Sequence, residues 1–175
     1  MVNNHIKKIV IVGGGTAGWI TAGTLAAKLK EKADSGYTIT LVESPNIPII
    51  GVGEGTWPTM RKTLKNIGVR ETDFIKECNV SFKQGAKFSK WVTGAEDDFY
   101  YHPLVLPKAF NEFNLAQHWQ SSNMAASFSQ AVCSQEAICE LGLAPKKIIT
   151  AEYAADANYA YHLDAGTFSE FLKTH

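Results

Sequence analysis

Apolar residues open the chain as a short continuous run, Ile9-Val10-Ile11-Val12, that stops abruptly at Gly13-Gly14-Gly15-Thr16-Ala17-Gly18. A run of β-branched residues closed off by glycines predicts a buried strand, here Ile6 to Val12. The period then changes. Ala22, Leu25, Ala26 and Leu29 recur at helical spacing, while Lys28, Lys30, Glu31 and Lys32 mark the wet face and far end of a predicted amphipathic helix. After a loop over Ala33 to Gly36, a second strand is predicted from Tyr37 to Val42, ending at Glu43. Strand, helix and strand in that order predict a parallel βαβ unit, and hence an α/β fold.

Beyond Glu43 the pattern is less regular. The loop Ser44-Pro45-Asn46-Ile47-Pro48 leads into a second glycine-rich stretch, Gly51-Val52-Gly53-Glu54-Gly55. Trp57-Pro58, followed by Thr59, Met60, Leu64 and Ile67, predicts a short helix with proline in its first turn and a stop near Gly68. Phe82, Ala86, Phe88 and Trp91 suggest one half-buried strand in which Lys83 and Lys87 point differently from Phe82. A mixed helical stretch is predicted from Ala125 to Leu141.

The first glycine cluster carries chemistry because of its neighbours. Gly13 permits a tight turn, Gly15 lets backbone N–H groups approach phosphates, and Gly18 allows helix and strand to pack closely. Thr16 and Ala17 open the helix whose N-terminus would face a pyrophosphate, and Glu43, at the tip of the second strand, is placed to accept hydrogen bonds from an adenosine ribose. A glycine turn needed only for backbone geometry is the bland alternative. Strand before, helix after and a carboxylate ending the next strand favour dinucleotide binding, without separating NAD from FAD.

Composition narrows the class. Lys plus Arg and Asp plus Glu are 17 each, so no overall charge bias points to nucleic acid or an acidic surface. Met1 to Lys8 is polar, with no apolar leader region, and the expected setting is cytoplasmic with no membrane attachment. Cys78, Cys133 and Cys139 lack C-x-x-C spacing and are expected to be reduced structural thiols. His102, His118 and His162 are too scattered to suggest a metal, and no Gly-x-Ser-x-Gly elbow supports a serine hydrolase. An aromatic cluster of Trp91, Phe99, Tyr100, Tyr101 and His102 is suited to stacking on an indole, although core packing is the commoner use of such residues.

Gly13 to Trp19, Glu43-Ser44, Ile47-Pro48, Gly51-Val52-Gly53-Glu54 with Thr56-x-Pro58, Phe82-Lys83 and His162-Leu163-Asp164-Ala165 together resemble the flavin-dependent tryptophan halogenases. The resemblance implies an FAD-binding, glutathione-reductase-type parallel sheet with an inserted mixed α+β substrate region, incomplete in this chain. It divides the chain into residues 1–79 of the FAD-binding domain, 80–165 of the insertion, and 166–175 opening a helix that returns to the first domain. It implies reduced FAD supplied by a separate reductase, with oxygen and chloride or bromide giving hypohalous acid that halogenates tryptophan or another indole or aromatic. Cofactor contacts are expected at Gly13, Gly15, Thr16, Ala17, Gly18, Glu43, Ser44, Ile50, Gly51, Val52, Gly53 and Glu54. Lys83 is expected to be catalytic, polarising hypohalous acid or trapping halogen as a haloamine. Read without the resemblance, a lysine in such a strand is most often a solvated face.

The family's Trp-x-Trp-x-Ile-Pro signature, the glutamate paired with the catalytic lysine and a Ser-Thr-Gly segment do not occur here. The resemblance places all three beyond the matched region, so the chain is expected to be the N-terminal portion of a longer protein. A homodimer is compatible with this reading. The alternatives are another FAD-dependent monooxygenase or oxidoreductase, and an inactive truncated dinucleotide-binding module.

Overall fold

The computed structural model describes residues 6–30, 36–47, 53–122 and 125–175. Two compact units are resolved, residues 1–81 with 162–175, and residues 82–161.

The first unit begins with β1 (Lys8–Val12), α1 (Thr16–Lys30) and β2 (Thr38–Val42). The strands pair in parallel, Lys8 opposite Thr38 through Val12 opposite Val42. Each strand starts later than the apolar pattern predicts, β1 by two residues, because pairing rather than hydrophobicity fixes where a strand begins. Both strands alternate in burial. Ile9, Ile11, Ile39 and Leu41 are half-covered, whereas Val10, Val12 and Val42 are 62%, 84% and 50% exposed. A two-stranded sheet with α1 on one side leaves its other face bare. For the same reason no residue of α1 is fully buried, and Ala26, expected on the core stripe, is exposed. A cavity of about 900 Å³ runs beside it, lined by Trp19, Gly23, Ile39, Ile67 and Leu172 among others.

β3 (Glu54–Gly55), α2 (Thr59–Asn66) and α3 (Glu71–Glu77) follow. The stop predicted at Gly68 is a Schellman cap. Gly68 takes φ +86°, its N–H bonds Lys65 O at 3.2 Å, and Val69 N–H bonds Leu64 O at 3.1 Å. Leu64 and Val69, buried together, complete the motif. After β7 (Ala160–Leu163) comes α7 (Ala165–Thr174), capped by Asp164, which accepts the N–H of Thr167 at 2.8 Å. Phe168 of α7 meets Phe74 of α3 edge-on, with ring centres 5.2 Å apart, and Leu64, Cys78, Leu163 and Ala165 are buried in the same unit. Burial pushes the Cys78 thiol up to about 12, as expected of a structural cysteine.

The second unit holds β5 (Gly85–Ser89) and β6 (Phe99–Pro103), an antiparallel pair, with α4 (Leu115–Ser121), α5 (Phe128–Val132) and α6 (Gln135–Glu140). β4 (Ser81–Lys83) spans the junction between the units in sequence, as β7 does on the return. The single strand predicted over residues 82–91 is thus two strands in different sheets, β4 in the order β3-β7-β4 and β5 with β6. Gln84 makes the break. Its side chain donates to Leu143 O at 2.7 Å and its carbonyl accepts from Leu104 N at 3.3 Å. The interior of this unit is partly polar. Buried Gln135 accepts from Leu104 N and Val105 N and donates to Asn158 O, and buried Glu136 accepts from Ser127 and Ser129. Satisfied in this way, such groups fix the loops they touch.

Candidate functional site: an open glycine cradle at the head of α1

The turn from β1 into α1 is held by Gly13, whose N–H donates to Val42 O at 2.8 Å and whose φ of +116° excludes most side chains. Each of the four glycines is required differently. A Cβ on Gly18 would lie 1.9 Å from Gly13 O, so helix and turn are in direct contact there. A Cβ on Gly14 would lie 1.7 Å from Glu43 Oε2, so the variable position of the Gly-x-Gly motif is occupied from above by the carboxylate at the end of β2. Positions Gly13 and Gly15 have nothing within 4 Å of a Cβ. The turn is therefore packed at Gly14 and Gly18 and open at Gly13 and Gly15.

The open side has the electrostatics of an anion site. Thr16 begins a 15-residue helix with no acidic residue in its first turn, and the N–H groups at a helix start carry partial positive charge. Ala17 is exposed beside it. A dinucleotide diphosphate fits this donor set, since the space a Cβ would fill at Gly15 is the space through which phosphate oxygens reach backbone N–H groups.

Glu43 is more constrained than its position in sequence suggests. Lys173 of α7 pairs with its Oε1 at 2.8 Å, and the Trp19 indole N–H also donates to the carboxylate. The Lys173 hydrogen bond, chief among these, holds the Glu43 carboxyl below the usual carboxylate range. Because the folded-state value is depressed, the pair adds stability above about pH 4.3 and loses it as pH falls through the folded-state value. Urea melts between about pH 5 and pH 3 should accordingly show a flatter pH dependence in Lys173→Met than in the parent chain. Neither Lys173 nor Trp19 stands out in the sequence as a partner of Glu43. The sequence signals them only in part, as an aromatic directly after Gly18 and a basic residue in the last turn of α7.

Ser44 is exposed, and its hydroxyl accepts from Asn46 N at 3.4 Å, closing the turn after β2. Ile50, Gly51 and Val52 lie outside the described residues. Gly53 sits with its Cβ position 3.5 Å from Leu163 O, an ordinary contact. Glu54 is fixed in β3 opposite Leu163, and its Oε1 accepts the Thr16 hydroxyl at 3.0 Å. The two glycine-rich segments, 38 residues apart, are thereby joined by a direct side-chain bond.

In the second unit Lys83 is half-buried on β4. Lys87 is exposed, pairs with Glu140 at 2.7 Å and lies 4.2 Å from the Phe99 ring centre. Tyr101 donates to the same Glu140, and burial together with that carboxylate drives the Tyr101 pKa upward. Strand alternation divides the aromatic cluster expected from sequence. Phe88 stacks on Tyr100 at 4.9 Å with Trp91 edge-on, while Phe99 and Tyr101 share the opposite face with Lys87. These rings are spent largely on one another. Among the described residues, no group of three or more His, Cys, Asp and Glu could hold a metal, and no helix is long and apolar enough to cross a membrane.

A parallel β-α-β unit with a glycine cradle open at a helix start defines the Rossmann-like class of α/β proteins. The sequence model of the tryptophan halogenase family matches residues 8–175, and the chain belongs to that family. It is 32% identical to the tryptophan 6-halogenase ThaL of Streptomyces albogriseolus and 32% identical to the tryptophan 7-halogenase RebH of Lentzea aerocolonigenes, each over 98% of this chain and 34% of the relative. The crystal structure of a tryptophan halogenase from Shewanella frigidimarina superposes on all of this chain and 35% of that one, with TM-score 0.89 and 49% identity. The chain thus spans about a third of the length of the relatives it matches.

Proposed function

We propose that the protein to which this chain contributes is an FAD-dependent halogenase acting on tryptophan or another indole-like aromatic. The observation that carries the proposal is the cradle open at Gly13 and Gly15 at the head of α1, in a chain aligned with the halogenase family from residue 8 to residue 175. In this reading residues 1–79 and 166–175 belong to the flavin side and 80–165 to the substrate side.

Gly13, Gly15, Thr16, Ala17 and Gly18 hold the diphosphate, through backbone N–H groups at the helix start. Glu43 and Ser44 serve the adenosine end, Glu43 with its carboxylate already ionised and oriented by Lys173 and Trp19. Gly53 and Glu54 border the flavin side; Ile50, Gly51 and Val52 join them on the strength of the family resemblance alone. Bound in its reduced form and supplied by a separate reductase, FAD contributes the two electrons with which oxygen oxidises chloride or bromide to hypohalous acid, water being the second product.

Lys83 then hydrogen-bonds hypohalous acid through its ammonium and increases the electrophilicity of the halogen. The aromatic carbon takes the halogen, the ring loses its proton, and the hydroxide of hypohalous acid leaves as water. The test is an assay of the intact protein with reduced FAD, oxygen, bromide or chloride and a panel of indoles, read by mass spectrometry. A halide-dependent mass shift supports the proposal. Halide-independent hydroxylation would instead place the protein among other FAD monooxygenases, and absence of FAD binding would reduce the chain to an inactive dinucleotide-binding module.

A further inference from the structure

The bond from Thr16 to Glu54 places a carboxylate oxygen 3.0 Å from the hydroxyl of the first residue of α1. We propose that Glu54 is a built-in competitor of the cofactor diphosphate, a resident anion that weakens dinucleotide binding and keeps it reversible. The inference rests on the FAD-binding reading above and specifies how this chain sets the affinity.

Three observations support it. First, Glu54 is held by β3, opposite Leu163 in the pairing with β7, so a regular sheet delivers its carboxylate to the helix start. Second, the two carboxylates flanking the glycine turn are treated differently. Glu43 is paired with the Lys173 ammonium, whereas the bond that holds Glu54 at the turn comes from a neutral hydroxyl and leaves the negative charge at the helix head. Third, a threonine hydroxyl has a single proton to donate. Thr16 can give it to Glu54 or to a phosphate oxygen, not to both.

Where a phosphate oxygen takes the Thr16 hydroxyl proton in addition to the backbone N–H groups, that contact and the Thr16–Glu54 bond exclude one another, and by linkage each weakens the other by the same factor. Like-charge repulsion between Glu54 and the phosphates acts in the same direction. Such a limiter suits a flavin that arrives reduced and departs oxidised in every cycle, since a cofactor used as a diffusible reagent must be released.

The experiment measures dissociation constants of FAD and ADP for the intact protein by fluorescence titration and calorimetry, with adenosine as a phosphate-free control. Glu54→Gln should tighten FAD and ADP about two- to fivefold, the range expected for one charge at a helix N-terminus, and leave adenosine unchanged. Glu54→Ala, which also frees the Thr16 hydroxyl, should tighten them at least as much. In a Thr16→Val background the gain from Glu54→Gln should shrink, which a merely structural role for Glu54 would not produce. Circular dichroism of each variant reports whether it folds. Unchanged or weaker ADP binding by both folded Glu54 variants overturns the proposal while leaving the FAD reading intact; failure of the parent protein to bind FAD or ADP overturns both.

Discussion

Alanine at Lys83 is expected to abolish halogenated product while FAD still binds. General acid assistance by a positioned side chain is worth about 10²- to 10⁴-fold in rate, so product formation should fall by at least about 100-fold, with the flavin dissociation constant unchanged. The companion measurement is Lys87→Ala. Lys87 is exposed and its ammonium is already committed to Glu140 and to the Phe99 face, so its loss should leave activity near the parent level. Should Lys87→Ala inactivate and Lys83→Ala not, the assignment is reversed. Lys83→Arg separates the two chemistries open to the amine. Arginine donates hydrogen bonds but does not deprotonate in proteins, so partial rescue indicates hydrogen bonding and none indicates a haloamine.

The second large effect comes from two glycines three residues apart, Gly15 and Gly18. Gly18→Ala drives a methyl to 1.9 Å from the Gly13 carbonyl oxygen, a backbone atom that cannot move without reshaping the turn. It should destabilise the first unit by about 1–3 kcal/mol or more and remove dinucleotide binding with it. Gly15→Ala meets nothing within 4 Å and should leave the melting transition where it was, yet its methyl fills the cradle and should weaken FAD binding at least tenfold. Denaturant melts and flavin titrations on the two variants settle the matter. If Gly15→Ala binds FAD as tightly as the parent, the open face of the turn is not where the diphosphate lies.

The glycine turn also shows why part of this protein was legible and part was not. Its location followed from local rules, because an apolar strand, a turn that needs positive φ and an amphipathic helix are all written within about 30 residues of one another. The helix stop near Gly68 is legible for the same reason, being a contact between near neighbours in sequence. The triple glycine was legible only in part. The motif accounts for Gly13, Gly15 and Gly18, but Gly14 is explained by Glu43 lying over it, a contact that exists only once β2 is paired beside β1.

The alternation around Lys83 was misread as one strand because Phe82, Ala86 and Phe88 keep a period of two across Gln84, and no local signal shows that the ladder changes partners there. Sequence by itself determined the fold class and the strand–glycine–helix unit, since these rest on periodicity and backbone conformation, whereas Lys83 and Glu54 became candidates through the family resemblance of the segments that hold them. Tertiary structure alone decided that Lys173 and Trp19 hold Glu43, that Lys87 is spent on Glu140, and that Thr16 reaches Glu54. Those contacts join residues dozens of positions apart, and their distances depend on how strands register and helices dock, which no local pattern encodes.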